Sequence, residues 1–237
     1  MNPPCKICGS NTRVVFSLPR TKLTGHPIPD SEDDCPYFEC EVCHFLSCTI
    51  HDEIDHSRLY NETYWDTQDP DWGGRVHQTL RLLLMANQLL KMNPWELTVL
   101  DFGCGMGTFV ESARKQIQLE AWGTDIIKPK FGLEWFVSQP SAGQFDVVVS
   151  CEVMEHLPRP FESVSQIKSY LRKGGVFAFQ TAQYDSAVCH RDWWYLGPAN
   201  GHISHYSREA FDVLAEKLGV RNKLMWNDYP GLQAWQF

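Results

Sequence analysis

The sequence predicts a doubly wound α/β domain preceded by a small metal-binding ribbon. Three observations carry this. From about residue 75 onward, strand-like apolar runs alternate with helix-like stretches, the order of a mostly parallel sheet with helices on both faces. One run, Val99–Phe102, contains an acid and opens into Gly103–Cys104–Gly105–Met106–Gly107, with glycine at every second position. Near the start, Cys5-x-x-Cys8 is answered by Cys40-x-x-Cys43.

Bulk properties agree. A chain of 237 residues has room for one α/β domain and a small appendage. A hydrophobic content of 43% suffices for a core. The apolar runs are too short to cross a membrane. Met1–Cys5 lacks the basic and apolar regions of a signal peptide. A cytoplasmic protein without membrane partners is therefore expected. The formal charge of −8 argues against general affinity for phosphate backbones. Nine cysteines without an export signal read as reduced thiols and metal ligands, not disulfides.

The ribbon is expected over residues 1–60. Each C-x-x-C sets two thiolates about one tetrahedral ion, so Cys5, Cys8, Cys40 and Cys43 form a closed structural zinc site. Gly9 follows the first knuckle, where a tight turn favours glycine. Cys35, Cys48 and His44 are near enough in sequence to replace a ligand. Through Tyr60 there are five Lys/Arg against nine Asp/Glu, which makes the ribbon a poor surface for RNA or DNA. Residues 61–94 follow as linker, lid and helix. Aromatic residues in Tyr60–Asp66 either pack or cover a ligand, with Tyr64 the candidate contact.

The main domain is expected over residues 95–237. Leu80, Leu83, Leu84 and Leu90 have helical spacing, predicting a helix over Arg75–Lys91 that stops before Pro94. Leu97–Phe102 is the first strand and Thr108–Gln118 the next helix. Ala121–Asp125 is a second strand. Phe145–Ser150 is a buried parallel strand. Phe161–Leu171 and Arg208–Leu218 are helices, the latter capped by Ser207. Gly175–Thr181 is a strand, and Val220–Trp226 with Leu232–Phe237 is a closing hairpin.

The glycine spacing discriminates between ligands. A dinucleotide fingerprint, G-x-G-x-x-G, requires its third glycine at position 108. Thr108 stands there, and the third glycine is Gly107. The loop resembles the S-adenosylmethionine loop of class I methyltransferases. The resemblance spans roughly residues 75–237, through LDFGCGMGTF, WGTDI, FDVVVSCEVMEHL and LRKGGVFAFQT. It implies a Rossmann-like, seven-stranded sheet and a methyltransferase activity. Asp101, Gly103, Cys104, Gly105 and Gly107 would hold the cofactor, and Asp125 would accept hydrogen bonds from its ribose hydroxyls. Glu152 and Tyr64 complete the candidate cofactor contacts. Too few residues separate Asp125 from Phe145 for a full helix–strand–helix, so the third strand is cramped around Leu133–Val137.

Glu152, Glu155 and His156 stand at i, i+3 and i+4; on a helix they would share a face, able to bind magnesium or move a proton. Ubiquinone-pathway O-methyltransferases show a similar E-x-x-E-H. The alternative is that Glu155 and His156 brace the fold. The loop after the fifth strand carries Trp193, Trp194 and Tyr195, either a substrate wall or core packing. Zinc-bearing sugar C-methyltransferases resemble this chain in ribbon and loop. Of their base-bearing trio only His202 remains, with Asn200 and Gly201 in the other two places. His202 is thus the candidate base, with His156 and Glu155 as alternatives. The expected partner is a small-molecule acceptor of O- or C-methylation, and nucleic acid is disfavoured. The rival readings are a catalytically degenerate interaction module and an RNA methyltransferase.

Overall fold

Residues 2–53, 60, 72–226 and 229–237 are described by the computed structural model. In chain order the elements are β1 (Thr12–Pro19), β2 (Asp34–Cys40), β3 (Leu46–Cys48), α1 (Trp72–Leu90), β4 (Thr98–Phe102), α2 (Thr108–Gln116), β5 (Glu120–Thr124), β6 (Phe145–Cys151), α3 (Pro160–Tyr170), β7 (Leu171–Gln180), β8 (Ser204–His205), α4 (Arg208–Leu218), β9 (Asn222–Trp226) and β10 (Tyr229–Gln236). They divide into two compact units.

The larger unit comprises His56–Val153, Val164–Thr181 and Gly219–Phe237. Its core strand is the β-branched run of β6, buried at all seven positions, as a parallel strand covered on both faces must be. The six-stranded sheet has the order β5-β4-β6-β7-β10-β9. β5, β4, β6 and β7 are parallel, whereas β10 runs antiparallel to both β7 and β9. Leu82, Leu83, Met85 and Ala86 of α1 are buried in one apolar cluster with Val99 of β4, Val147 and Val149 of β6 and Val176 of β7. Among the described residues the sheet has six strands, not the expected seven, and beside β5 there is a bridge: Phe136 pairs in parallel with Gly123, and Val137 N donates to Gly123 O at 2.8 Å. Leu133–Trp135 is a 3-10 turn instead of a strand. The short spacing after Asp125 leaves no length for more.

Several boundaries differ from the sequence reading by one to three residues, and the start of one strand by four. β7 begins at Leu171, not Gly175, because Leu171 pairs with Phe145 ahead of an irregularity in the register. Gly174, at φ 81, sits in that irregularity, where a strand interrupted by glycine accommodates a bulge.

The smaller unit gathers Met1–Asp55, Met154–Ser163 and Ala182–Leu218. Its four-stranded sheet, β1-β2-β3-β8, is antiparallel throughout. The last strand is only two residues long and comes from late in the chain: Leu46 pairs with His205 and Ser47 with Ser204. Leu18, Tyr37, Leu46, Tyr184, Leu196 and Ile203 share its core. α4 is capped as its sequence predicts, Ala210 N donating to Ser207 Oγ at 2.9 Å.

Candidate functional site

In the larger unit, β4 and β5 run in parallel, with Asp101 opposite Gly123. The loop leaving β4 is pinned to β5: Gly103 N and Cys104 N both donate to Thr124 O, at 2.8 and 3.1 Å. Gly103, Gly105 and Gly107 all have positive φ, at 76°, 55° and 81°, a region that costs any residue with a Cβ. Two of them also lack room. A Cβ on Gly103 would overlap the Val153 side chain, and one on Gly107 would overlap the Phe131 carbonyl oxygen. The returning segment is fixed there, Phe131 N donating to Met106 O at 2.9 Å. Gly107 N donates to Cys104 O at 2.9 Å, closing the turn, and Gly107 O accepts Glu111 N of α2. Cys104 is buried with its sulfur against Gly123, so its backbone is what the loop presents.

Asp125 follows β5 directly. Its Oδ2 accepts Gly105 N at 2.8 Å and its Oδ1 accepts Ile127 N at 3.2 Å. Burial raises its pKa, and these backbone donors oppose the rise. Asp101 is pushed up to about 7, first by burial and then by the Asp125 charge, against the pull of Arg75. Asp101, buried, and Asp125, half-buried, therefore stand at adjacent strand ends, where charging both is costly without a cation. Arg75 supplies part of that charge while donating to Cys151 O at 3.3 Å. It was not a predicted site residue. The only signal was an arginine in the first turns of a helix read for its apolar stripe.

Glu152 does not share a helical face with Glu155 and His156. Its backbone is left-handed at φ 56°, and only Met154–His156 form a 3-10 turn. The turn after β6 imposes that kink, since Glu152 N donates to Gln180 O at 2.9 Å. The Glu152 carboxylate accepts Gln180 Nε2 at 3.1 Å. The predicted magnesium set of Glu152, Glu155 and His156 is therefore not assembled. Tyr64 lies outside the described residues.

In the smaller unit the four ribbon sulfurs lie within 4.8 Å of one another. Cys5 Sγ is 3.6 Å from Cys43 Sγ, and Cys8 Sγ is 3.3 Å from Cys40 Sγ. Backbone amides aim at them: Ile7 N at Cys5, and Val42 N and Cys43 N at Cys40, each at 3.4 Å. Such crowding suits four thiolates around one cation and opposes four bare thiolates. The Cys43 thiol holds Cys5 down to about 5, while contact with Cys5 and burial push Cys43 up. Gly9, at φ 81°, makes the expected turn, Gly9 N donating to Cys5 O. His44 occupies the equivalent place after the second knuckle, at φ 53°, its amide donating to Cys40 O. It turns the chain there, and its ring faces Glu39 at 3.2 Å. Neither it nor Cys35 or Cys48 joins the cluster.

The same unit brings Glu155, His156 and His202 together. Glu155 Oε1 is 3.8 Å from His156 Nε2 and 3.9 Å from His202 Nε2. The 3-10 turn is held by the later loop: Ile203 N donates to Glu155 O at 3.0 Å, Ser204 Oγ to Leu157 O at 2.6 Å and Tyr206 Oη to Met154 O at 2.9 Å. Tyr195 O accepts His202 Nδ1–H at 2.9 Å, a backbone partner that no side-chain pattern announces. Asn200 is structural, its Oδ1 accepting Thr24 N at 2.7 Å. Trp193 and Tyr195 pack against His205, which burial holds down to about 3. These rings form core, and of the aromatic run Trp194 is the exposed member.

The family described as "Methyltransferase domain" matches residues 74–223. Among curated relatives, a malonyl-[acyl-carrier protein] O-methyltransferase of Halalkalibacterium halodurans is 24% identical over 181 residues, covering 68% of this chain and 60% of the relative. A ubiquinone biosynthesis O-methyltransferase of Pasteurella multocida is 29% identical over 158 residues, covering 54% and 63%. The chain thus spans about three fifths of the length of the curated relatives it matches. Among solved structures, the 1,6-didemethyltoxoflavin-N1-methyltransferase of Burkholderia thailandensis, bound to S-adenosylhomocysteine, superposes with a TM-score of 0.52 at 14% identity over 73% of this chain and 82% of the other. An O-methyltransferase family protein of the same organism gives 0.53 at 13% identity, over 76% and 61%. At such identities the structures share the fold. With the family match covering more than half of its residues, the chain belongs to the methyltransferase-domain family.

Proposed function

We propose that the chain is an S-adenosylmethionine-dependent methyltransferase of a small-molecule acceptor, methylating oxygen or carbon of a natural-product or sugar-like intermediate. The observation that carries the reading is the pair Asp101 and Asp125 flanking a glycine loop with no room for a side chain at Gly103 or Gly107. The cofactor has a sulfonium, an ammonium and a ribose diol. A carboxylate held by the Gly105 and Ile127 amides keeps acceptor capacity for hydroxyls. A buried carboxylate with a raised pKa gains from a cationic ligand. Asp101 is assigned to the ammonium and Asp125 to the ribose.

Methyl transfer is a displacement at the sulfonium methyl, and alignment of the acceptor supplies much of the acceleration. A base helps where the acceptor keeps its proton. His202 is assigned that role. A carbonyl can only accept, so the contact with Tyr195 O holds a proton on Nδ1, and the Nε2 edge of the ring faces Glu155. The cysteine cluster is assigned one zinc ion with a structural role, because four protein ligands leave no position for a substrate.

Isothermal titration with S-adenosylmethionine tests the reading. One cofactor per folded chain is expected. A folded, zinc-loaded protein that takes up none would instead be a degenerate interaction module.

A further inference from the structure

Glu155, His156 and His202 are drawn from two stretches of chain, and none belongs to the cysteine cluster. One ligand-capable atom from each lies within 4.8 Å of the other two. Both Nε2 atoms approach the same carboxylate oxygen, and the two imidazole rings meet edge to face at 4.7 Å. We propose that these three side chains form a second metal site in the protein, for a divalent transition-type cation such as zinc, cobalt or manganese, with a coordination position left for an oxygen ligand.

The donor set selects the class of ion. Two imidazoles and a carboxylate suit zinc and its first-row neighbours, whereas magnesium and calcium favour oxygen ligands alone. The ring orientation is already set. Tyr195 O holds a proton of His202 on Nδ1 and turns Nε2 toward Glu155, the outer-shell arrangement that orients metal-binding histidines. The backbone is set too, through the bonds of Ile203 N, Ser204 Oγ and Tyr206 Oη to the Met154–Leu157 segment. Glu155 is wholly buried, and a buried carboxylate is costly unless positive charge compensates it. Metal bonds of about 2.1 Å put tetrahedral ligands about 3.4 Å apart. The observed 3.8 and 3.9 Å contacts need only a modest side-chain contraction.

Three protein ligands leave one tetrahedral position open, unlike the closed cysteine site. That this position receives an oxygen of the methyl acceptor rests on the function proposed above; the uptake of the ion does not. In the loaded protein the His202 Nε2 lone pair is a ligand, and its role as a base belongs to the ion-free protein.

The test is metal uptake by the full chain, by equilibrium dialysis with zinc and with cobalt, for the wild type, Glu155→Gln and His202→Ala. The wild type should hold two ions, one resistant to mild chelation and one exchangeable. Cobalt at the exchangeable site should absorb without the sulfur-to-metal charge-transfer band of the cysteine site. Both variants should bind the exchangeable ion about 100-fold more weakly or worse, beyond the loss typical of an outer-shell change. They should keep the resistant ion, which reports a folded ribbon. Magnesium should not displace the exchangeable ion. A single ion in the wild type, or magnesium competing as well as zinc, overturns the proposal. So does an exchangeable ion that both folded variants keep unchanged. The wild-type stoichiometry and cobalt spectrum decide even where a variant fails to fold. Two-ion uptake without methyl transfer would overturn the proposed activity alone, and methyl transfer by a wild type that takes up only one ion would overturn this site alone.

Discussion

The cofactor cradle and the Glu155–His156–His202 cluster are specified in opposite ways. From Asp101 to Asp125 the cradle occupies 25 consecutive residues (125 − 101 + 1). Two neighbouring parallel strands and one tight loop suffice to bring its carboxylates and amides together. The cluster spans 48 residues from Glu155 to His202 (202 − 155 + 1). A 3-10 turn, a two-residue strand and several side-chain-to-backbone bonds are needed to assemble it. A site encoded locally is set by strand geometry. One encoded at long range depends on the packing of its whole unit.

The largest expected effect falls on that dependence. In zinc-dependent modules the ion contributes on the order of 10 kcal/mol of apparent free energy. Cys40→Ser should therefore release zinc and lower the stability of the smaller unit by several kcal/mol, while S-adenosylmethionine affinity changes far less. Denaturant unfolding, elemental analysis and cofactor titration on one sample check this. Equal damage to both properties would erase the distinction between the regions.

The next effect separates catalysis from binding. His202→Ala should lower turnover by about 10²–10⁴-fold with little change in cofactor affinity. His156→Ala, in the turn that Tyr206 and Ser204 hold, should chiefly lower stability. Normal turnover in the first variant with a folded but inactive second would move the proton-accepting role to His156.

A smaller effect is expected in the cradle. Asp125→Ala removes a carboxylate that orients the loop and is assigned to the ribose. S-adenosylmethionine binding should weaken by about 1–3 kcal/mol. An unchanged dissociation constant in a folded variant would take Asp125 out of the site.

The difference between the regions also governs how much the sequence disclosed. The glycine spacing, Asp101 and Asp125 were legible because each follows from a strand, a turn and a residue type in direct succession. The four ribbon cysteines were legible for the same reason, since each C-x-x-C is a local unit. The convergence of His156 with His202 was not, because nothing local encodes the pairing of Ser204–His205 with β3. The shared face of Glu152, Glu155 and His156 required a helix, and the chain instead kinks into the left-handed region at Glu152. The aromatic run read as core or wall in sequence. His205, buried among Trp193 and Tyr195, makes those two rings core.

The smallest effect is a pH dependence. In the folded chain Asp101 is raised from 3.8 to about 7. Between those values the folded state holds a proton that the unfolded state has released, so this group's contribution to stability declines as pH rises from about 4 to 7. A cationic cofactor favours the ionised form. Its affinity should therefore strengthen as pH rises towards 7, by at most about tenfold per pH unit, and level off above. Asp101→Asn should flatten that profile. A slope that survives in the variant would assign the titration to another group.

The central claim is most directly tested by following labelled methyl from S-adenosylmethionine into a whole-cell extract, separated into small molecules, protein and nucleic acid. Label should appear in a discrete small molecule and should fall sharply with Asp125→Ala and His202→Ala. Label confined to RNA, or no transfer by a protein that binds the cofactor, would contradict the account.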